Sequence, residues 1–332
     1  IAKLDKAELR LYPDSIDNTG GLIQASETLT LHADRVINQD TRSNNPSRPL
    51  GLVGKSITLH SDPQASLFDN TVGSVLATEQ LTLQTETLQN GAGVLSSSGS
   101  AHVESDLLDN GFHIVKREHH QHMDTPGQVL AGDRLSINTV ALAGRGTLQS
   151  KGDVDLTIQN DPKRVVSAIA RRGTGFNDYN FSQILAGRDL TLSAISLRNL
   201  DRAELVAGGA ATLNIAKALI NEGVIEGRDT QIKASHITNN LSGRIYGKAG
   251  NVDVVATTAL THTGQLVASG DQGSIRLQAP VINIPGSVMA GQDVTLIADQ
   301  LALTGATLST PGTLALQTVG DIHTHQANFQ AT

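Results

Sequence analysis

The sequence predicts an all-β fold, a right-handed parallel β-helix of about 20 residues per coil, and three observations predict it. A short unit recurs along the chain: an apolar pair such as Ile184-Leu185, a Gly with polar neighbours, then apolar-Thr-apolar, as in Leu190-Thr191-Leu192. Inside each unit apolar and polar residues alternate, which is the period of a strand and not of a helix. The 332 residues include only five Phe, three Tyr and no Trp, although 39% are hydrophobic. A thick globular core would bury many rings. Narrow stacked coils are filled instead by Leu, Val, Ile and Ala, and have little room for Phe.

The second apolar residue of each apolar-Thr-apolar core marks a coil. The first markers are Leu31, Leu59, Leu83, Val103, Ile137 and Ile158, at successive spacings of 28, 24, 20, 34 and 21. Leu192, Leu213, Ile232, Val254, Leu277, Leu296 and Leu316 follow at 21, 19, 22, 23, 19 and 20. Helical solenoid units of roughly 33–47 residues and propeller blades of roughly 40–45 are too long. Leucine-rich repeats have a suitable length, but their Leu-x-x-Leu-x-Leu-x-x-Asn pattern is absent. Asn38, Asn90, Asn110, Asn199, Asn221 and Asn239 close units at similar points, as residues that accept αL turns. About thirteen coils are visible, after a partial one at Leu9 and Leu11. Stacked about 4.8 Å apart, they make a rod on the order of 60 Å long. Residues 1–332 therefore read as a single repeat domain of a longer protein, since the chain starts at Ile1 and neither end reads as a cap.

Composition removes other classes. Without Cys there is neither a disulfide framework nor a thiolate metal site. Charged residues make up 17% and the net charge is −7, so the chain is neither disordered nor a general nucleic-acid binder. No apolar run approaches the length that a membrane-spanning helix needs.

Three inserts break the period, at 39–51, 111–127 and 161–181. Pro46, Pro49, Asn44 and Asn45 make the first an irregular surface loop. The other two each widen a marker spacing to 34, and they hold Phe112, Phe176, Tyr179 and Phe181, half of the aromatic residues. The third is locally basic in an acidic chain, and the second carries Lys116 and Arg117 with four His against Glu118 and Asp124. Insertions in a solenoid map to surface loops, often on its binding face. The plain expectation is hairpins that cover the apolar side of the coils. The functional expectation is a partner-binding surface made of Phe112, Lys116, Arg117, His119, His120, His122, Arg171, Arg172, Phe176, Tyr179 and Phe181.

The insert-plus-repeat units carry a resemblance. Gln128-Val129-Leu130-Ala131-Gly132-Asp133-Arg134-Leu135 and Gln183-Ile184-Leu185-Ala186-Gly187-Arg188-Asp189-Leu190 each follow an aromatic-containing insert. With Leu108-Asp109-Asn110-Gly111, they resemble the haemagglutinin repeats of filamentous haemagglutinin adhesins and contact-dependent growth inhibition effectors. That resemblance covers essentially the whole chain. It implies a non-catalytic surface stalk, secreted through an outer-membrane two-partner secretion transporter. It also implies contact with a target-cell surface receptor or glycan, and presentation of a C-terminal toxin module of the same chain.

Candidate chemistry is sparse. His113, His119, His120 and His122 could offer imidazoles to a metal on a hairpin, but they read more simply as a solvated face, as do His323 and His325. The turns Gly187-Arg188-Asp189, Gly227-Arg228-Asp229 and Gly291-Gln292-Asp293 precede strands and read as turn formers. Lys151-Gly152-Asp153 reads as a turn between coils. No catalytic residue, metal site, cofactor or nucleic-acid partner is assigned. The alternative is a β-helical carbohydrate-active enzyme, which would place two or three carboxylates on adjacent coils within about 5–10 Å.

Overall fold

The computed structural model describes residues 8–42, 50–61, 66–111, 114–117, 120–123, 126–144, 146–159 and 183–331. Every regular element among these residues is a β-strand. The chain divides into two compact units, Ile1–Gln183 and Ile184–Thr332, and each is a parallel β-solenoid.

In the first unit, three columns of side chains run through the stacked coils. One is Leu29, Ile57, Leu81, Ala101, Leu135 and Val154, each directly above the last in parallel register. A second is Ile16, Val36, Phe68, Leu88 and Leu108. A third runs from Leu52 through Val75, Leu95 and Val129 to Leu148. All are buried, as is the marker column Leu31, Leu59, Leu83, Val103 and Ile137 beside the first. Each fully buried Leu or Ile contributes about 1.5–3 kcal/mol, so the column is the main stabilising element of a coil. The markers pair as expected from Leu31 to Ile137. The next differs: Ile137 pairs with Leu156, not with Ile158. Val154, Leu156 and Ile158 all point inward, so alternation alone could not choose among them.

One ring does enter a coil. Phe68 is 0% exposed and sits in register between Val36 and Leu88. The smaller Val36 on one side leaves room for it. The first insert is also less external than predicted. Thr41 is buried, accepts a hydrogen bond from the Ser74 N–H at 2.9 Å and donates to the Asn38 carbonyl at 3.2 Å. At its other end, Gly51 already opens the strand Gly51–His60. Only residues 43–49 of it lie outside the described residues.

The recurrent Asn residues do not adopt the αL conformation. They are buried and form a directional ladder, which Asn18 and Asn70 join. Asn18, Asn38, Asn70 and Asn90 each donate Nδ2 to Oδ1 of the next Asn, ending at Asn110, at 2.7–2.8 Å. The second hydrogen of Asn38 and Asn90, and one from Asn110, goes to a carbonyl of a neighbouring coil. The αL position falls two residues later, at Asp40, Val72 and Ala92. One residue further on, Gly73 and Gly93 follow, where a Cβ would come within 2.2 Å of the carbonyl oxygens of Asn38 and Asn70. Asn, an αL residue and Gly thus make one corner of the coil.

In the second unit all seven markers stack in the expected register, from Leu192 to Leu316. The other two columns run Leu219, Ile237, Leu260, Ile282, Leu301 and Ile225, Ile245, Leu266, Val288, Leu308. Its own Asn ladder runs Asn199, Asn221, Asn239 at 2.7 and 2.6 Å and then meets His262.

Candidate functional site

The second insert contains a two-stranded antiparallel hairpin, a sheet separate from the parallel ladder. Ile114–Arg117 pairs with His120–Met123, so Lys116 lies opposite Gln121, Arg117 opposite His120, and Val115 opposite His122. The β-branched Ile114-Val115 pair favours a strand here. Of the predicted binding residues, the structure brings Lys116, Arg117, His120 and His122 onto this hairpin. Phe112 and His119 lie outside the described residues, as do His113 and all of Arg171, Arg172, Phe176, Tyr179 and Phe181.

The Gly-x-Asp turns have a structural task. Asp189 Oδ1 accepts the Ala210 N–H at 2.8 Å, Asp229 Oδ1 the Asn251 N–H at 2.9 Å, and Asp293 Oδ1 the Thr313 N–H at 2.7 Å. Each carboxylate therefore fixes the turn of the coil above it. Lys151-Gly152-Asp153 is also a turn, in which Gly152 N–H donates to Ser150 Oγ at 3.1 Å. Outward ion pairs link neighbouring coils in the same way: Lys55 with Glu27 at 2.8 Å, Arg276 with Asp253 at 3.1 Å and Lys248 with Glu226 at 2.6 Å. Hydrogen bonding to the partner carboxylate raises the pKa of Lys55 and Lys248.

Two concavities stand out, both at the corner that follows the marker strand. In the second unit, a groove of about 650 Å³ runs past Ala256, Ala279, Pro280, Ala298 and Val319. In the first unit, a cleft of about 140 Å³ is lined by Glu86, Glu104, Asp106 and polar neighbours. Glu86 lies between Thr85 and Thr87, and Asp106 between their register partners Ser105 and Leu107, so the two carboxylates occupy matching places on adjacent coils. That is the arrangement an enzyme of this fold would use. The cleft, however, is well below the roughly 300–1,000 Å³ of ligand pockets, and Glu86 and Asp106 already have interaction partners. Among the described residues, no group of three or more His, Asp or Glu is arranged to hold a metal ion.

Sequence reasoning missed His262. It is fully buried, and burial holds its pKa below the ordinary histidine value, against a smaller opposing effect of the Ser287 carbonyl. The signal that could have found it is positional: Thr261-His262-Thr263-Gly264 stands where other coils have Asn and Gly.

Comparisons with known proteins agree with this architecture. The haemagglutinin repeat family matches residues 9–45, 247–271 and 272–330. A tRNA nuclease CdiA of Escherichia coli O6:K15:H31 is 24% identical over 91% of this chain and 8% of its own length. A toxin CdiA of Escherichia coli is 25% identical, over 96% of this chain and 10% of its own length. A deoxyribonuclease CdiA of Dickeya dadantii is 26% identical, over 79% of this chain and 7% of its own length. The chain thus spans a tenth or less of the length of these curated relatives. No solved structure gives a significant match.

Proposed function

The chain is a haemagglutinin-repeat segment of the filamentous haemagglutinin and contact-dependent growth inhibition family of secreted, cell-surface proteins, and we propose that it acts there as a non-catalytic stalk that also binds a target cell. The reading takes residues 1–332 as one repeat domain whose inserts, at 39–51, 111–127 and 161–181, interrupt the coils. The observation that carries it is the antiparallel hairpin Ile114–Arg117 with His120–Met123, a sheet separate from the parallel ladder. Coils that only space modules apart need no such element, whereas one that carries basic and imidazole residues suits recognition of a surface receptor or glycan. The partners of this reading are a two-partner secretion transporter in the outer membrane, a target-cell receptor or glycan and a toxin module of the same chain. Deleting 111–126 or 161–181 tests it. Loss of binding to target cells with intact secretion supports a recognition surface, and unchanged binding leaves a passive spacer.

A second reading rests on the carboxylate cleft. In a β-helical polysaccharide lyase or hydrolase, Glu104 with Glu86 or Asp106 would serve as acid and base. Release of new reducing ends or unsaturated products from a panel of polysaccharides, abolished by Glu104→Gln, would favour that reading over the stalk.

A further inference from the structure

His32 and His60 are far apart in the chain, on either side of the first insert, yet they are register partners on adjacent parallel strands, Thr28–His32 and Gly51–His60. Parallel stacking in register aims both Cα–Cβ bonds the same way, about 4.8 Å apart. Both side chains are exposed, and their ring centroids lie 5.3 Å apart with the planes tilted by 35°. Tyr12 closes the column on the far side of His32, its ring 5.9 Å away. No hydrogen bond or ion pair to another described residue engages either imidazole.

That spacing matches a shared metal ion. A zinc–imidazole bond is about 2.0–2.1 Å, and a ring nitrogen lies about 1.2 Å from its ring centre. Two imidazoles holding one ion at a tetrahedral angle therefore place their centroids about 5 Å apart. The ring centroids are near that separation before any ion binds, so rotation about the side-chain torsions of two exposed residues is what brings a nitrogen of each ring onto the ion. We propose that His32 and His60 form a two-imidazole site for a borderline divalent transition cation, Zn²⁺, Ni²⁺ or Cu²⁺, with water completing the coordination. Imidazole suits these metals, and Cu²⁺ binds most tightly of the three. The two ligands flank the insert 39–51, so the bound ion ties together the coils on either side of it. This site is independent of the hairpin at 114–123 and does not rest on the proposed stalk function.

The test is calorimetric titration of the whole chain with Zn²⁺, Ni²⁺ and Cu²⁺ at neutral pH, for wild type, His32→Ala, His60→Ala and, as a control on another exposed histidine, His102→Ala. The expected result is one binding event lost, or weakened at least tenfold, in both His32→Ala and His60→Ala and retained in His102→Ala. Circular dichroism of each variant checks that the surface substitutions leave the fold intact. A second readout is electron paramagnetic resonance of one equivalent of Cu²⁺, in which wild type shows one more coordinated imidazole nitrogen than either single variant. Unchanged titrations in both variants overturn the site. Loss in one variant alone also overturns it, since a single imidazole would then be the ligand.

Discussion

Asn239 donates its side-chain amide to Nδ1 of His262 at 2.9 Å, and the imidazole passes the bond on from Nε2 to the Ser287 carbonyl at 2.9 Å. His262 thus copies an Asn of the ladder: Nδ1 accepts where Oδ1 would, and Nε2–H donates where Nδ2 would. The direction is fixed, because Asn239 also donates to the Gly243 carbonyl and accepts from Asn221. Only the neutral Nε2–H tautomer completes the chain. Protonation would set an N–H against the N–H of Asn239 in a buried place.

A pH dependence follows from this contact. The charged or titratable residues on the surrounding strands are Asp229, Lys233, His236, Arg244, Tyr246 and Asp253, all exposed or half-buried, so burial dominates at His262. The folded pKa lies below the ordinary value of 6.5. Stability from the neutral ring is therefore complete above about pH 6.5 and is lost as pH falls from there through the folded pKa. Urea midpoints measured from pH 7.5 to 5 should fall more steeply in wild type than in His262→Asn, which keeps an acceptor and a donor in the ladder and cannot titrate. Parallel slopes for the two proteins would show that His262 does not couple folding to pH.

The first unit's ladder makes a second expectation. Asn90→Ala removes the bonds to Asn110 Oδ1 and the Gln128 carbonyl and leaves one hydrogen of the buried Asn70 Nδ2, which now points at Asn90 Oδ1, without an acceptor, the other staying with the Val94 carbonyl. Leaving a buried donor unsatisfied costs about 1–3 kcal/mol, beyond the bonds lost. Equilibrium unfolding should show a loss of about 3 kcal/mol. Asn90→Asp should also be destabilising, because a carboxylate can accept from Asn70 but has no hydrogen for Asn110.

The coil interior is sensitive to volume. Leu83 is fully buried between Leu59 and Val103. Leu83→Ala should cost about 2–5 kcal/mol, and Leu83→Met less than about 1.5 kcal/mol, as judged by urea unfolding. His102→Ala, on an outward position of the neighbouring strand, should change stability by no more than about 0.5 kcal/mol.

Much of this solenoid is legible in the chain because its register is local and periodic. From Leu192 to Leu316 no long insert intervenes, so spacing alone names the residues that stack. Register between Ile137 and Leu156 is not legible, since three inward residues compete and sequence alternation cannot rank them. The Asn ladder is half legible: its positions repeat, but turn propensity assigns them to αL, whereas a buried hydrogen-bond column holds them. His262 escaped because its place in the ladder depends on its two nitrogens acting as a carboxamide does. The pair His32 and His60 is legible in register, since each directly follows a marker, Leu31 or Leu59, but the approach of their rings to 5.3 Å is not. The insert residues are a different matter: aromatic and basic content marks them as unlike the coils, but only the hairpin register says which of them are neighbours.

A final expectation concerns the αL corner. Val72 has φ 53°, and its amide donates to the Gly91 carbonyl at 2.8 Å. A β-branched residue in this region is a genuine outlier, with Cβ forced against the following backbone, at roughly 1–2 kcal/mol for an L-residue. The equivalent position is Gly20, Asp40 or Ala92 in other coils of the same unit, so the corner geometry persists whatever the side chain. Asn tolerates αL without the entropy cost of Gly. Val72→Asn should therefore raise stability by about 1 kcal/mol, and Val72→Gly by less, since Gly loses more freedom on folding. Val72 is only half-buried, so little packing is lost in either case. A urea midpoint for Val72→Asn below that of wild type would mean that Val72 contributes more through packing than its backbone costs.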